Sequence, residues 1–309
     1  MQKYKNLITA RIIADSISKN HRLTTFELTY PRFILAEVNT HRMLSKNSAS
    51  SRAIPIKQVN ELIQRAPAGF VEFGKNQPGM QAKELLNSEQ ALEADATWLE
   101  ALEAAVKYSE RLSALGVHKQ IVNRVTEPWA VMKTVMTGTH WGNMLYLRNH
   151  QDAQPEFRYL AQQIEGELQR STPQELSSGE WHTPYVESRR DAHGALTYWV
   201  SETEVSQEVA LKVSASCCAQ VSYRKNDTTL EKAEKIFDQL ILSKPAHSSP
   251  VEHQATPMDE SYYEIWYYDP RLAAWRGVTH QDAHGELWSG NLCGWVQYRK
   301  LIEATPTEF

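Results

Sequence analysis

An apolar run, Phe33-Ile34-Leu35-Ala36, leads through Glu37-Val38-Asn39 into the stretch Thr40-His41-Arg42-Met43-Leu44-Ser45-Lys46-Asn47-Ser48-Ala49-Ser50-Ser51-Arg52-Ala53. This junction constrains the fold more than any other part of the chain. One side of it must enter a core, and the other must present a histidine, two arginines, an asparagine and four serines. Short hydroxyls and amides around a fixed guanidinium are a common grip on a phosphate or carboxylate. An anion site is one reading of the stretch; a helix-to-loop exit with incidental charges is the other.

A chain of 309 residues can bury a full core as one large domain or two smaller ones. Its formal net charge of −4 gives no support for a nucleic-acid binder relying on bulk electrostatics. Three cysteines, two of them adjacent (Cys217, Cys218), form neither a disulfide framework nor a metal-ligand spacing. They read as small buried hydrophobes in a reducing compartment. The start, Met1-Gln2-Lys3-Tyr4-Lys5, has no apolar signal region behind it, and no run is long enough to span a bilayer. The expectation is a soluble, cytoplasmic protein without a membrane partner.

Residues 7–16 and 22–30 are rich in β-branched and aromatic side chains and read as two strands joined by a turn. Pro31 should then start a helix carrying Phe33, Ile34, Ala36 and Val38 toward His41 and Arg42. Helical patterns follow at 56–65, 81–115 (with Gly116 as C-cap), 118–137 and 152–170, Pro128 kinking or breaking the third of these. A strand pair is expected around Asp191-Ala192-His193-Gly194, and helices at 204–222 and 230–242. The tail, 254–309, is rich in tyrosine and tryptophan without a clear period. One α+β domain with insertions is the architecture these patterns support.

Two polar clusters stand out. His247-Ser248-Ser249-Pro250-Val251-Glu252-His253 is read as a structural turn in which Ser-Pro starts a helix. Metal binding would need a further ligand that is not evident, and no metal site is expected; a polar surface facing a cofactor is the third reading. Asn143-Met144-Leu145-Tyr146-Leu147-Arg148 sets an asparagine and an arginine at helical spacing. Neither Cys217 nor Cys218 has a setting that would favour a thiolate nucleophile.

Several separated segments resemble the flavin-dependent thymidylate synthases. Thr40 to Arg52 is similar to that family's signature, Thr25-Phe26-Glu27-Leu28 and Phe33-Ile34-Leu35-Ala36 to the strand and helix leading into it. Gly116 through Arg124, Asn143 to Arg148, and Ala153-Gln154-Pro155-Glu156 resemble its later helices in order and spacing. Two more segments, Ala219-Gln220-Val221-Ser222-Tyr223 and His247 to His253, look like pieces that ordinarily precede the signature but here follow it. The chain thus resembles a rearranged, circularly permuted branch of the family, of the kind seen in bacteriophage genomes.

The resemblance implies a thymidylate synthase-complementing-protein-like fold, with a mixed or antiparallel sheet and a helical bundle. It implies a single domain over 1–309, with its core at 5–170 and 204–257 and insertions or extensions at 171–203 and 258–309. The implied activity is reductive methylation of dUMP at C5 to dTMP by a homotetramer. FAD is the implied cofactor, with NADPH and methylenetetrahydrofolate as co-substrates. His41, Arg42, Asn143, Ser222, His247, Ser249 and Glu252 match flavin positions. Ser50, Ser51, Arg52, Arg124 and Arg148 match nucleotide positions, with Arg148, Ser50 and Arg52 the catalytic candidates.

Four positions depart from the family pattern: Thr40 for an arginine, Glu37 for a glutamine, Ser48 for a glutamate and Ala53 for an aromatic. Two of these ordinarily help to hold the substrate phosphate. Gln297 and Arg299, in the tail segment Trp295 to Lys300, are candidates to supply the missing glutamine and arginine; a surface helix end with solvated charges is the other reading. The departures leave a second function open, C5 hydroxymethylation or hydroxylation of dUMP or dCMP for hypermodified DNA. A third is a non-catalytic flavin- or nucleotide-binding protein.

Overall fold

The computed structural model describes residues 2–79, 81–222, 227–241, 243 and 247–302. After the short helix α1 (Gln2–Lys5), strands β1 (Thr9–Ser18) and β2 (His21–Pro31) form an antiparallel hairpin, its turn tighter than the alternation suggests because β1 runs two residues further and β2 begins one residue earlier. Pro31 closes the strand rather than opening a helix; a 3₁₀ turn over Arg32–Ile34 leads into α2 (Leu35–Asn39). The donor-rich stretch does not stay a loop. Ser45–Ser48 form strand β3.

Helix α3 (Ile56–Arg65) lies where its pattern places it. Helix α4 (Ser88–Ala114) begins seven residues later than the periodicity suggests, because Asn87 and Gln90 form a reciprocal capping box. At its far end Gly116 takes φ +79°, as a C-cap glycine does. The single helix expected over 118–137 is not formed. Only α5 (Lys119–Val122) and a 3₁₀ turn at Glu127–Trp129 are helical, and Val131–Gly138 is strand β4. Pro128 ends the helical path, and Val131, Thr134, Val135 and Thr137 favour the pleated backbone.

Helices α6 (Gly142–Arg148) and α7 (Pro155–Arg170) follow, then β5 (Gln174–Glu175). The five strands make one mixed sheet in the order β3-β4-β2-β1-β5, antiparallel except for β1 with β5. Phe26, Leu28 and Tyr30 of β2, with Met132 and Met136 of β4, pack on Phe157, Leu160 and Ile164 of α7. On the opposite face Leu23 packs with Trp295, and Val135 with Cys218 and Val221. A sheet covered on both faces explains why Leu23 through Phe26 are all buried.

The second layer holds β6 (Glu187–Arg190), β7 (Leu196–Val200) and β8 (Thr203–Val205), including the expected hairpin, then α8 (Gln207–Ala219) and α9 (Leu230–Leu240). A 3₁₀ turn at Ser249–Glu252, with Pro250 in its first positions, fits the structural reading of that segment and leads to β9 (Ala255–Pro257). The aromatic tail resolves into α10 (Glu260–Tyr268), α11 (Pro270–Trp275), β10 (His280–Gln281), β11 (Leu287–Ser289), β12 (Leu292–Cys293), β13 (Trp295–Gln297) and α12 (Tyr298–Ile302). Strand β13 pairs with β9. Among the described residues no helix is long and apolar enough to cross a membrane. The mixture of helices with a largely antiparallel sheet is an α+β fold.

Candidate functional site

Arg148, the last residue of α6, is the centre of the most elaborate polar cluster. Its Nε donates to His41 Nε2 at 2.9 Å, Nη1 to Glu37 Oε2 at 3.1 Å and Nη2 to Thr40 Oγ1 at 3.3 Å. The guanidinium also lies 4.8 Å over the Phe157 ring. An imidazole that accepts at Nε2 must be neutral and carry its proton on Nδ1. Burial, then the charges of Arg148 and Lys46, lower the His41 pKa to about 4, which agrees with that form. Glu37 and Arg148 line a cleft of about 880 Å³ together with Glu72, Lys83, Glu156 and Arg158.

Glu156 is buried, and desolvation raises its pKa even though Val71 N and Gln154 Nε2 donate to it at 2.8 and 2.7 Å. Sequence reasoning gave it no role. Lys46 was missed as well. Its ammonium donates to the carbonyls of His41 and Leu44, and burial lowers its pKa to about 8 against the opposing charge of Glu252. The lone lysine inside the serine-rich stretch was the available signal.

A second group lies where β3 meets the turn at Ser249–Glu252. Arg299 is ion-paired with Glu252. Gln297 Nε2 donates to Glu252 O at 3.0 Å, to Asn291 Oδ1 at 3.2 Å and to Ser45 Oγ at 3.4 Å. Asn47 Nδ2 donates to Cys218 O at 2.6 Å. Two segments far apart in the chain, 218–222 and 249–252, thus lie beside the signature strand, and so does the tail. Arg299 is a half-buried ion-pair partner, not a solvated helix end.

A third group forms around Glu127. Ser51 Oγ donates to its carboxylate at 2.8 Å, and Arg124 and Arg32 both reach it at 2.9 Å. Ser51 and Arg124 therefore come together, but on a carboxylate of the protein itself. Ser50 is half-buried; Arg42, Arg52, Asn143 and His247 are exposed, and Ser249 is half-buried. The Ser222 side chain and all of Tyr223 lie outside the described residues.

A buried hydrogen-bond chain crosses the back of the sheet. It runs from Ser16 Oγ to His182 Nδ1 (2.8 Å), His182 Nε2 to Thr25 Oγ1 (2.8 Å), Thr25 to Thr137 Oγ1 (2.7 Å), and Thr137 to His253 Nδ1 (2.8 Å). Burial lowers both histidine pKa values to about 3, so both rings are neutral. Elsewhere, ligand atoms of His21, Glu286 and Cys293 fall within 4.8 Å of one another. Tyr263 and His21 already engage the Glu286 carboxylate at 3.0 and 3.2 Å, and zinc bonds of about 2.0–2.3 Å would need a tighter set.

Comparison with solved structures finds a UMP/dUMP methylase, PolB, from Streptomyces cacaoi. Bound with 5-Br dUMP it has 17% identity and a TM-score of 0.43, covering 52% of this chain and 89% of that one. Bound with 5-Br UMP the values are 18% and 0.43, covering 52% and 88%. A search of curated proteins returned no match. The family model described as thymidylate synthase complementing protein matches residues 18–174, from the end of β1 to the start of β5 and just over half of the chain. With the signature strand, Arg148 and α7 all inside that match, the chain belongs to the thymidylate synthase complementing protein family.

Proposed function

We propose that this protein is a flavin-dependent enzyme that reductively methylates dUMP at C5, with methylenetetrahydrofolate as the one-carbon donor and NADPH as the source of reducing power. One observation carries the reading: within the family match, Arg148 is locked to His41, Glu37 and Thr40 beside a cleft large enough for a nucleotide. Arg148 is the catalytic candidate. A guanidinium held at three points keeps its direction while charge develops on a pyrimidine carbonyl, so little reorganisation is needed at that moment. The neutral His41 ring holds the guanidinium and adds no competing positive charge.

The residues present suit a flavin. Lys46 and Arg299 flank Glu252, Gln297 and Ser45 add neutral donors, and Arg42 and Asn143 are exposed. Cations and amide donors of this kind match the diphosphate and carbonyl-rich ring of FAD. FAD, when bound, supplies the reducing equivalents, and the chain's own groups bind and orient. The reading includes a homotetramer as the working assembly. It also takes the chain as a permuted member of the family, which the packing of 218–222 and 249–252 on β3 supports.

Glu37 favours a second reading. Its carboxylate is an acceptor next to the donor-only Arg148, and an acceptor suits the N4 amine of cytosine where a guanidinium suits O4 of uracil. C5 modification of dCMP, including hydroxymethylation, is therefore the alternative. Titrating the protein with FAD and then with dUMP or dCMP tests both. Saturable flavin binding should be followed by nucleotide binding that Arg148→Ala weakens by about 1.5–3 kcal/mol, the range for hydrogen bonds to charged groups. Protein that takes up neither flavin nor nucleotide would sink both readings.

A further inference from the structure

Strand β3 lies at the edge of the sheet, and its Lys46 stands opposite Met136 of β4. Paired residues share a face, so the lysine stem leaves on the side where Met136 is buried. The side chain is half-buried, and its ammonium donates to the carbonyls of His41 and, at 3.1 Å, Leu44. An ammonium has three N–H donors, and no third partner is found among the described residues.

The titratable and charged groups about Lys46 are His41 and Glu252 and, behind those two, Arg148 and Arg299. None of them neutralises the lysine. His41 is uncharged, Glu37 is held by Arg148 at 3.1 Å, and Glu252 is held by Arg299. Burial outweighs the pull of Glu252 and brings the lysine's pKa down to about 8, so the group is still a cation at neutral pH. Arg42, four residues earlier, is exposed and forms no ion pair among the described residues either. Two carbonyls thus fix the direction of a half-buried positive charge without supplying a counter-ion. An unpaired charge taken out of water is costly, and an anion that reaches it removes the cost.

We propose that Lys46 binds a phosphate group of the enzyme's ligands, its ammonium acting as a point charge with one N–H left to donate. The inference rests on the proposed function, which brings two phosphate-bearing ligands to this site: the nucleotide with its monoester and FAD with its diphosphate. Arg299, the other cation beside Glu252, is held by that carboxylate. A lysine in this place also gives binding a pH limit that an arginine would not. The cationic form takes the phosphate, and it is lost as pH rises through about 8.

Calorimetry on the full chain with two pairs of probes tests this: dUMP against deoxyuridine, and FAD against riboflavin. Lys46→Met should weaken one phosphate-bearing ligand by about tenfold or more, the low end for a hydrogen bond to a charged group, and leave its phosphate-free counterpart unchanged. The pair that responds assigns the lysine to the nucleotide or to the flavin, and Lys46→Arg should restore the lost affinity. In the wild type that ligand's affinity, relative to its counterpart, should fall by about tenfold per pH unit above the lysine's pKa; in Lys46→Arg it should stay level. The wild-type profile stands even where a variant does not fold. Wild-type protein that binds flavin and nucleotide, with Lys46→Met losing nothing or losing equally within each pair, would overturn this inference and leave the proposed function standing. A level wild-type profile would do the same. Wild-type protein that binds neither ligand would overturn both.

Discussion

Arg148 shows how departures from a family pattern can be understood at the level of one side chain. Glu37 and Thr40, two of the four departures, both end on its guanidinium, at 3.1 and 3.3 Å. They rewire the arginine's surroundings and leave it in place. Arginine suits such a site because its donors lie in a rigid fork, which an ammonium cannot reproduce. The carboxylate should also set which base is accepted. Glu37→Gln, measured by competition between dUMP and dCMP, should move preference toward dUMP by about 1.5 kcal/mol, roughly tenfold, as a charged acceptor is lost. An unchanged ratio would remove Glu37 from base selection. Arg148 and His41 were legible from the signature and the helical spacing after Asn143, whereas their joining was not. No local pattern states that a helix end and a residue 107 positions earlier will meet.

At the scale of elements, legibility followed the strength of local signals. Helices α3 and α7 were plain from their apolar periodicity, and the β1–β2 hairpin from its β-branched residues. Strand β4 was hidden because Met132 and Val135 also fit a helical period, so tertiary pairing with β2 and β3 decided the matter. Strand β3, Ser-Lys-Asn-Ser, carries no apolar alternation at all. It exists because its neighbour offers a full ladder and because Ser48 and Asn47 find partners on opposite faces, Thr134 at 2.8 Å and Cys218 O at 2.6 Å. Helix α4 was placed too early because the pair Asn87 and Gln90 was not weighed as a cap. Asn87→Ala should cost about 1 kcal/mol of stability, read from urea unfolding, with the slope unchanged.

The whole molecule is held by contacts between distant parts of the chain. Trp295 Nε1 donates to His21 O at 3.2 Å, and Arg299 and Gln297 bind the turn that packs on β3. Three buried neutral histidines give this assembly a pH signature. His41 has its pKa lowered to about 4, and His182 and His253 to about 3, against 6.5 when unfolded. The unfolded chain therefore binds more protons below 6.5, and stability present at neutral pH is lost as pH falls toward the folded values. Between about pH 7 and pH 5 each histidine should account for about 2 kcal/mol of that loss. Urea midpoints across this range should fall steeply, and Thr137→Val, which breaks the chain between the two deepest rings, should lower the midpoint at every pH. A flat profile would mean that these rings titrate normally.

The central claim is that Arg148 and its partners serve C5 methylation of a pyrimidine nucleotide on a flavin-bearing protein. The direct measurement is an anaerobic single turnover: protein loaded with FAD, reduced, mixed with methylenetetrahydrofolate and either dUMP or dCMP, and the products weighed by mass spectrometry. The account predicts a methyl group on dUMP, formed as the flavin is oxidised, and no such product with Arg148→Ala. A hydroxymethyl or hydroxyl product, turnover of dCMP alone, or unchanged nucleotide beside a reduced flavin would contradict it.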